Sequence, residues 1–340
     1  MLTLLEGATA TVTATVTADE KMPTDRPAYR PYVAQVASVR ILTEHSTRVT
    51  FTGADFTTFG TSGLDQRIKI VFPLPGIGVS DFGANDRATI DEGTWYARWR
   101  ALPDDVRNPF RTYTIRAVRP GDREVDVDFV RHVSAPQHGP TGQGGPAGPA
   151  ARWLGNATPG DELVIIGPDA RSIHAATGLD WHPGCATVLL LAGDETAAPA
   201  ICSILESLPA HSRARAFIEV AALSDTARPV IPAGCEVTWL ARGSAPHGTL
   251  LDTAVRGWVA DNRQALTASP SAQPLHDIDV DHDLLWDSPA PVTDGNFYAW
   301  LAGESAAITR LRRFLVTETW IDRRCVAFMG YWRRGRAEAP

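Results

Sequence analysis

The segment Arg111-Thr-Tyr-Thr-Ile-Arg116 carries the residue types of a seat for a flat, phosphorylated ligand. It opens after a turn at Asn108-Pro109, and its texture predicts a strand. An arginine can neutralise a phosphate oxygen through a charge-assisted hydrogen bond. A tyrosine ring offers an apolar plane that excludes water. A neighbouring threonine hydroxyl both donates and accepts. In a flavin site these tasks fall to Arg111 at the pyrophosphate, Tyr113 against the isoalloxazine and Thr114 at the N5 edge, where hydride arrives. An ordinary strand with exposed Arg and Thr would read the same, so the decision rests on the rest of the chain.

Three further segments recur at places suited to phosphates. Phe129-Val-Arg-His132 ends a strand, and a Gly-rich loop leads from it into Gly148-Pro-Ala-Ala-Arg-Trp153. Small residues opening a helix let backbone N–H groups approach an anion, which the helix dipole favours. A flexible Gly/Pro linker and a plain strand histidine at His132 are the alternatives. Ala192-Gly-Asp-Glu-Thr196 follows an apolar strand and opens a helix that Asp194 or Thr196 can cap. Trp300-Leu-Ala-Gly-Glu-Ser305 repeats that geometry. Plain capped helices also begin this way. In open α/β sheets, however, ligands lie at the carboxyl ends of strands, so two Gly-acid turns at such ends point to one crevice.

The elements that must position these residues fall into two textures. Strands are predicted at 33–39, 47–52, 67–72, 113–116, 124–130 and 162–167. In Glu124-Val-Asp-Val-Asp-Phe-Val130 the apolar residues take one face and Asp126 and Asp128 the other, the period of a half-buried strand. Short strands with few helices predict a small antiparallel barrel. After Pro183, apolar strands at 186–192, 216–222, 236–240, 297–302 and 325–329 alternate with helices at 196–208, 250–263 and 304–317. That alternation predicts a parallel sheet covered on both faces. The fold class is therefore α+β with two domains, a Greek-key β-barrel followed by an α/β nucleotide-type domain. Residues 1–27 read as a mobile tail, 28–180 as the barrel domain and 181–340 as the α/β domain. Residues 269–291 break the alternation and read as an insert or long loop.

Composition removes several classes of function. A net charge of −7 argues against a nucleic-acid binder held by bulk charge. Lys21 and Lys69 are the only lysines, so arginine carries the positive charge. Arginine suits bidentate anion recognition, although a coding bias explains the general excess better. Cys185, Cys202, Cys235 and Cys325 form no CxxC pair, which leaves no zinc or iron–sulfur spacing; all four are expected to be buried thiols. Asp277, Asp279, Asp281 and Asp283 mimic a calcium loop, but His282 and Ser288 replace its Gly and closing Glu. Gly142, Gly144 and Gly148 make a poor dinucleotide fingerprint, interrupted by Pro146. No apolar run is long enough for a membrane span, and the N-terminus lacks the pattern of a signal peptide, so a cytoplasmic location is expected.

In this order, Arg111–Arg116, Asp128–His132, Gly148–Trp153, Ala192–Thr196, Ala302-Gly-Glu304 and Gly330-Tyr-Trp-Arg-Arg-Gly335 resemble the siderophore-interacting proteins, which are ferredoxin-reductase-like flavoenzymes. The resemblance covers Tyr32 to Arg336. It implies an FAD-binding barrel and an NADH- or NADPH-binding α/β domain. It implies that Arg111, Tyr113 and Thr114 hold the flavin, with Arg116 and Asp128 in the same segments and Val130 and His132 lining it. Gly148, Pro149, Ala150, Ala151 and Trp153 would flank the pyrophosphate. Asp194, Glu195, Thr196 and Glu304 would form the nicotinamide crevice, with Tyr331 and Trp332 near the flavin. Two departures stand out: Ala151 replaces the usual Ser, and the loop 133–147 is long and rich in Gly and Pro.

The activity this implies is reduction of a ferric siderophore, with no protein nucleophile. Hard siderophore oxygens hold ferric iron far better than ferrous, so reduction loosens the complex. Many such complexes are anionic, and Arg67, Lys69, Arg333, Arg334 and Arg336 are the candidates for a basic docking surface. A ferredoxin as electron partner and a non-catalytic siderophore carrier are the competing readings.

Overall fold

The computed structural model describes residues 23–60, 62–131, 148–264, 266, 286–290 and 296–335. His132, Arg336, the glycines 142 and 144 and the acidic run 277–283 lie outside them, as does most of the expected tail.

The first half is a curled antiparallel sheet. Its strands are β1 (Tyr29–Thr43), β2 (Ser46–Thr52), β3 (Arg67–Val71), β4 (Phe110–Thr114), β5 (Ala117–Arg119), β6 (Glu124–Val130) and β7 (Glu162–Pro168), in the order β4-β3-β7-β1-β2-β6-β5. Alternation sets the buried face: Val49 and Phe51 of β2, Ile68 and Ile70 of β3, and Val125, Val127 and Phe129 of β6 share one core. The sheet bends until its far strands meet. Just past β4, Ile115 N donates to Gln66 O at 3.0 Å and Arg116 N to Asp126 O at 2.9 Å. The Arg111–Arg116 segment thus spans the gap between β3 and β6. Two short helices, α1 (Arg87–Glu92) and α2 (Trp95–Arg100), fill the connection from β3 to β4. Their buried apolar residues are Ile90 and Trp99, too few to give a readable period. A third short helix, α3 (Pro149–Leu154), starts at Gly148 with Pro in its first turn.

The second half contains β8 (Val188–Asp194), α4 (Ala198–Ser207), β9 (Ala214–Val220), β10 (Cys235–Ala241), α5 (Thr249–Asp261), β11 (Trp286–Asp287), β12 (Phe297–Glu304), α6 (Ser305–Arg313) and β13 (Val326–Trp332). The order is β10-β9-β8-β12-β13-β11. The first five are parallel, and β11 runs antiparallel to β13. Every residue of β12 is buried, as a central strand covered on both faces requires. One core packs α5 and α6 on one face, and another packs α4 on the opposite face. A π-type turn at Phe314–Glu318 extends α6, so the helical reading to 317 describes two elements in series. Within 269–291, Trp286 and Asp287 are an edge strand rather than loop, which makes the sheet mixed. A two-residue strand is too short to show a period.

Cys202, Cys235 and Cys325 are buried as expected, but Cys185 is exposed. It sits in the turn before β8, beside Gly184 at φ +57°, and the apolar run starts only after it.

The halves meet at two joints. In one, the fully buried Asp65 accepts from Trp300 Nε1 at 2.9 Å and from the backbone N–H groups of Asp180 and Trp181 at 3.0 and 3.3 Å. In the other, Asp225 accepts from His45 N and pairs with its Nδ1 at 2.8 Å, and Arg116 reaches Glu206 of α4 at 2.8 Å.

Candidate functional site

The barrel side of the site is the end of β4. Strand alternation puts Arg111 and Tyr113 on one face and Thr112 and Thr114 on the other. Tyr113 is half-buried, its ring 4.5 Å from that of Phe129 and 6.4 Å from that of Phe72. Arg111 is half-buried, and its Nη1 donates to the Phe110 carbonyl. Thr114 is buried and stands opposite Arg67 in the ladder, with the Lys69–Thr112 pair two residues further along. Lys69 and Arg67 therefore share their face with Thr114. Lys69 Nζ donates to Thr112 Oγ1 at 3.2 Å and lies 4.7 Å from the Phe110 ring centre. Arg67 is committed: it pairs with Asp180 at 3.0 Å and covers the ring of Trp286 at 4.1 Å.

Two of the predicted residues are bound up in ion pairs. Asp128 takes a bidentate pair from Arg48 at 2.6 and 2.8 Å. Arg116 joins Glu206 and lies 3.9 Å from Asp128. Both hold the β6 edge to α4, so in this conformation they fix the joint beside the site. Val130, half-buried, pairs with Ser46 at the end of β6. Past the segment 132–147, no described residue comes within 4 Å of where a side chain on Gly148 would stand. Pro149, Ala150 and Ala151 form the first turn of α3 behind it. Trp153 packs into the barrel core against Phe51, Phe72 and Phe129 at 6.1, 5.4 and 5.7 Å, which anchors α3.

The α/β side is built at the carboxyl ends of β8, β12 and β13. Gly193 and Gly303 let these strands converge. A Cβ on Gly193 would lie 2.5 Å from Ala302 O, and one on Gly303, which is at φ +149°, 2.7 Å from Asp194 Oδ2. Asp194 fills the gap as a buried clasp. Its Oδ1 accepts from Thr196 N at 2.9 Å and Thr196 Oγ1 at 2.5 Å. Its Oδ2 accepts from Glu304 N and Trp332 Nε1, both at 2.8 Å. Desolvation, helped by the charge of Glu195, pushes its pKa up to about 6, while those donors pull the other way. Glu304 caps α6 by accepting from Ala307 N at 3.0 Å. Glu195 holds Arg242 bidentately at 2.7 and 2.6 Å.

Sequence reasoning missed Arg242, Glu219 and His247 in this crevice. Glu219, fully buried, accepts from Gly248 N at 2.7 Å and Leu251 N at 3.0 Å and lies 3.7 Å from Arg242. His247 stands edge-on to Trp332 at 5.2 Å, and burial together with Arg242 lowers its pKa. The available signal was Arg242 at the end of a predicted strand. Arg333 is half-buried and Arg334 exposed just beyond β13.

Between the two sides stands Tyr331. Burial raises its hydroxyl well above its ordinary pKa of 10. That oxygen has no aligned hydrogen-bond partner among the described residues, although Thr114 is close enough to act on it. A cavity of about 160 Å³ lies elsewhere, at the far end of α5 between Val259, Leu266 and Trp320. No described helix is long and apolar enough to cross a membrane, and no group of three or more metal-ligating side chains occurs among the described residues.

Comparison with known proteins matches both halves. Residues 35–172 fit the siderophore-interacting FAD-binding domain and residues 186–335 the siderophore-interacting protein domain. The uncharacterized protein Rv2895c of Mycobacterium tuberculosis is 32% identical over 308 residues, covering 89% of this chain and 90% of the relative. Ferric vibriobactin reductase ViuB of Vibrio cholerae is 27% identical over 310 residues, covering 91% of each. The crystal structure of a siderophore utilization protein from T. fusca superposes with a TM-score of 0.62 at 25% identity, covering 93% of this chain and 97% of that one. With the two domain models in tandem over nearly the whole barrel and α/β sheet, the chain belongs to the siderophore-interacting protein family.

Proposed function

We propose that this protein is an FAD-containing, NADH- or NADPH-dependent reductase of ferric siderophores that releases iron as Fe(II). The observation that carries the reading is the buried, unaligned Tyr331 hydroxyl facing Thr114 between the two sheets. A buried hydroxyl without a partner is costly. An isoalloxazine edge, with its ring nitrogens and carbonyl oxygens, supplies the acceptor that the Tyr331 hydroxyl lacks, so the residues fit the group. Arg111 and the N–H groups at the start of α3 would hold the pyrophosphate side, backbone contacts sufficing where Ala151 offers no hydroxyl. Tyr113 and Val130 would line the ring, with His132 beside them.

When bound, FAD supplies the conversion of a two-electron hydride into single electrons for iron. The chain's residues bind, orient and exclude water. Asp194 draws the ends of β8, β12 and β13 together and so shapes the crevice for the nicotinamide, with Thr196 and Glu195 at its rim. Trp332 and Tyr331 close that crevice toward the barrel. Lys69, on the same face as Thr114, offers a positive charge to an anionic ferric chelate, and Arg333 and Arg334 offer theirs from the end of β13. Arg67 contributes to that field from within its pair with Asp180.

The test is anaerobic. The purified protein is expected to be yellow, to bleach on addition of NADH or NADPH, and to regain its colour on addition of a ferric siderophore while a ferrous-specific chelator develops its absorbance. A protein that holds flavin but is not bleached by either nucleotide would point to a ferredoxin donor. One that binds the siderophore without holding flavin would overturn the reductase reading.

A further inference from the structure

The edge strand β11 does more than widen the sheet. Its Trp286 is packed between both halves of the molecule. One face of the indole is covered by Arg67 of the barrel, with Cζ 4.1 Å from the ring centre. The indole also stacks on Tyr331 of β13, with ring centres 5.8 Å apart and planes 16° from parallel. Its Nε1 donates to Asp180 Oδ1 at 3.1 Å, in the segment that links the two sheets. Asp180 also pairs with Arg67, gives its N–H to Asp65 and accepts from Tyr298 Oη at 2.8 Å. Trp300, edge-on to Tyr331 at 6.2 Å, donates to the same Asp65. Tyr331 is thus walled on two sides by tryptophans whose N–H groups are anchored on two buried aspartates, and its hydroxyl is left aimed at Thr114.

We propose that Trp286 is a positioning residue for the flavin site: it fixes the plane and height of Tyr331 and so the gap between Tyr331 and Thr114. The inference rests on the flavin seat proposed above. Its physical basis is the difference between a stacked, anchored ring and a loose one. A phenol held only by its strand can turn about χ1 and χ2. One pressed between an indole and an orthogonal second indole keeps one orientation. Both anchors reach into the barrel, so the brace also ties the position of Tyr331 to the angle between the halves. A displacement of about 1 Å at a reacting pair can cost on the order of a hundredfold in rate. A brace remote from the donor crevice should act on that rate, not on binding of the donor.

Wild type, Trp286→Ala and Trp286→Phe are compared as full-length protein by two readouts. The first is hydrogen–deuterium exchange without added cofactor. Trp286→Ala is expected to speed exchange in β13 and in β4 and to leave β9 unchanged. The second is reduction of the loaded flavin by NAD(P)H at a temperature well below unfolding. Trp286→Ala is expected to slow it roughly tenfold or more, with the KM for the nucleotide unaltered. Trp286→Phe keeps the stack and loses only the bond to Asp180, so most of the rate should return. Unchanged exchange in β13 would overturn the positioning claim whether or not the protein holds flavin. Faster exchange with an unchanged reduction rate would reduce Trp286 to a structural brace and overturn the proposal equally. If the wild type holds no flavin, the reductase reading fails on its own and the exchange result still decides what Trp286 does to Tyr331.

Discussion

Gly303→Ala tests the crevice with a single methyl group. The added Cβ would stand 2.7 Å from Asp194 Oδ2 and 2.8 Å from its Cγ, well inside ordinary contact. The backbone there, at φ +149°, suits glycine, and an L residue held in such a region costs about 1–3 kcal/mol. The carboxylate must then retreat, and it is fixed by Glu304 N and Trp332 Nε1, both 2.8 Å from the oxygen that is struck. Hydrogen bonds to a charged group contribute about 1.5–3 kcal/mol each. Losing most of one and straining the other brings the total to about 4–5 kcal/mol, a large share of a fold's usual margin. Gly76→Ala is the control: at φ +73° with no described residue within 4 Å, it isolates a backbone cost of about 1–2 kcal/mol. The assay is urea unfolding followed by tryptophan fluorescence, read as the shift in midpoint because two packed halves need not unfold in one step. If Gly303→Ala shifts the midpoint no more than Gly76→Ala, the clasp is not holding these strands. Trp332→Phe supplies the second leg of a cycle. Its cost should shrink in the Gly303→Ala background, because the bond it removes is already damaged.

Arg111→Ala should weaken FAD binding about tenfold to a hundredfold, the value of a lost charge-assisted contact, as read by quenching of flavin fluorescence on titration. Lys69→Ala and Arg333→Ala should each lower the rate with an anionic ferric chelate at low salt, and the difference should fade as ionic strength rises; wild-type rates at low salt would remove both from the docking surface. Asp225 provides a pH test. Burial raises its pKa, but Thr43, the Ala222 N–H and His45 outweigh that and hold it below the ordinary carboxylate value of 3.8. A depressed folded pKa contributes stability that is complete above the unfolded value and is lost as pH falls through the folded one. Asp225→Asn should therefore destabilise the protein at neutral pH and flatten part of its acid unfolding below about pH 4. An unchanged acid limb would show that this joint carries no weight.

Which parts of this molecule could be read in advance follows the range of the interactions. The strands of the barrel show because Val125, Val127 and Phe129 alternate with polar residues, and the α/β strands because burial on both faces makes them wholly apolar. Asp194 and Glu304 could be picked out because each follows a glycine at the end of an apolar strand, a local pattern. Their partners could not. That both acids act on one another's strand ends, with Asp194 accepting from Glu304 N, depends on β8 and β12 being neighbours across 110 residues of chain. Arg67 looked like an exposed charge because neither Asp180 nor Trp286 lies near it in sequence. Trp286 was hidden further by its setting, two residues of strand in a stretch with no period.

The crevice also resolves an apparent conflict of charge. A pyridine dinucleotide carries phosphates, yet Asp194, Glu195, Glu219 and Glu304 converge where the proposed function puts it. Each acid is already committed. Glu219 accepts from Gly248 N and Leu251 N at the start of α5, Glu304 from Ala307 N in the first turn of α6, and Glu195 neutralises Arg242. The starts of α5 and α6 therefore already face a carboxylate, whose charge disfavours a second anion there. α4 differs: its N-cap residue is Ala197, with no side-chain cap, three residues after Asp194. Of the three helices that open on this crevice, it is the one whose dipole is left uncompensated by a carboxylate cap. On the proposed reading the pyrophosphate of the donor belongs there, and the acids serve to exclude it from the other two. Their removal should then loosen α5 and α6 and open the freed N–H groups to a competing anion.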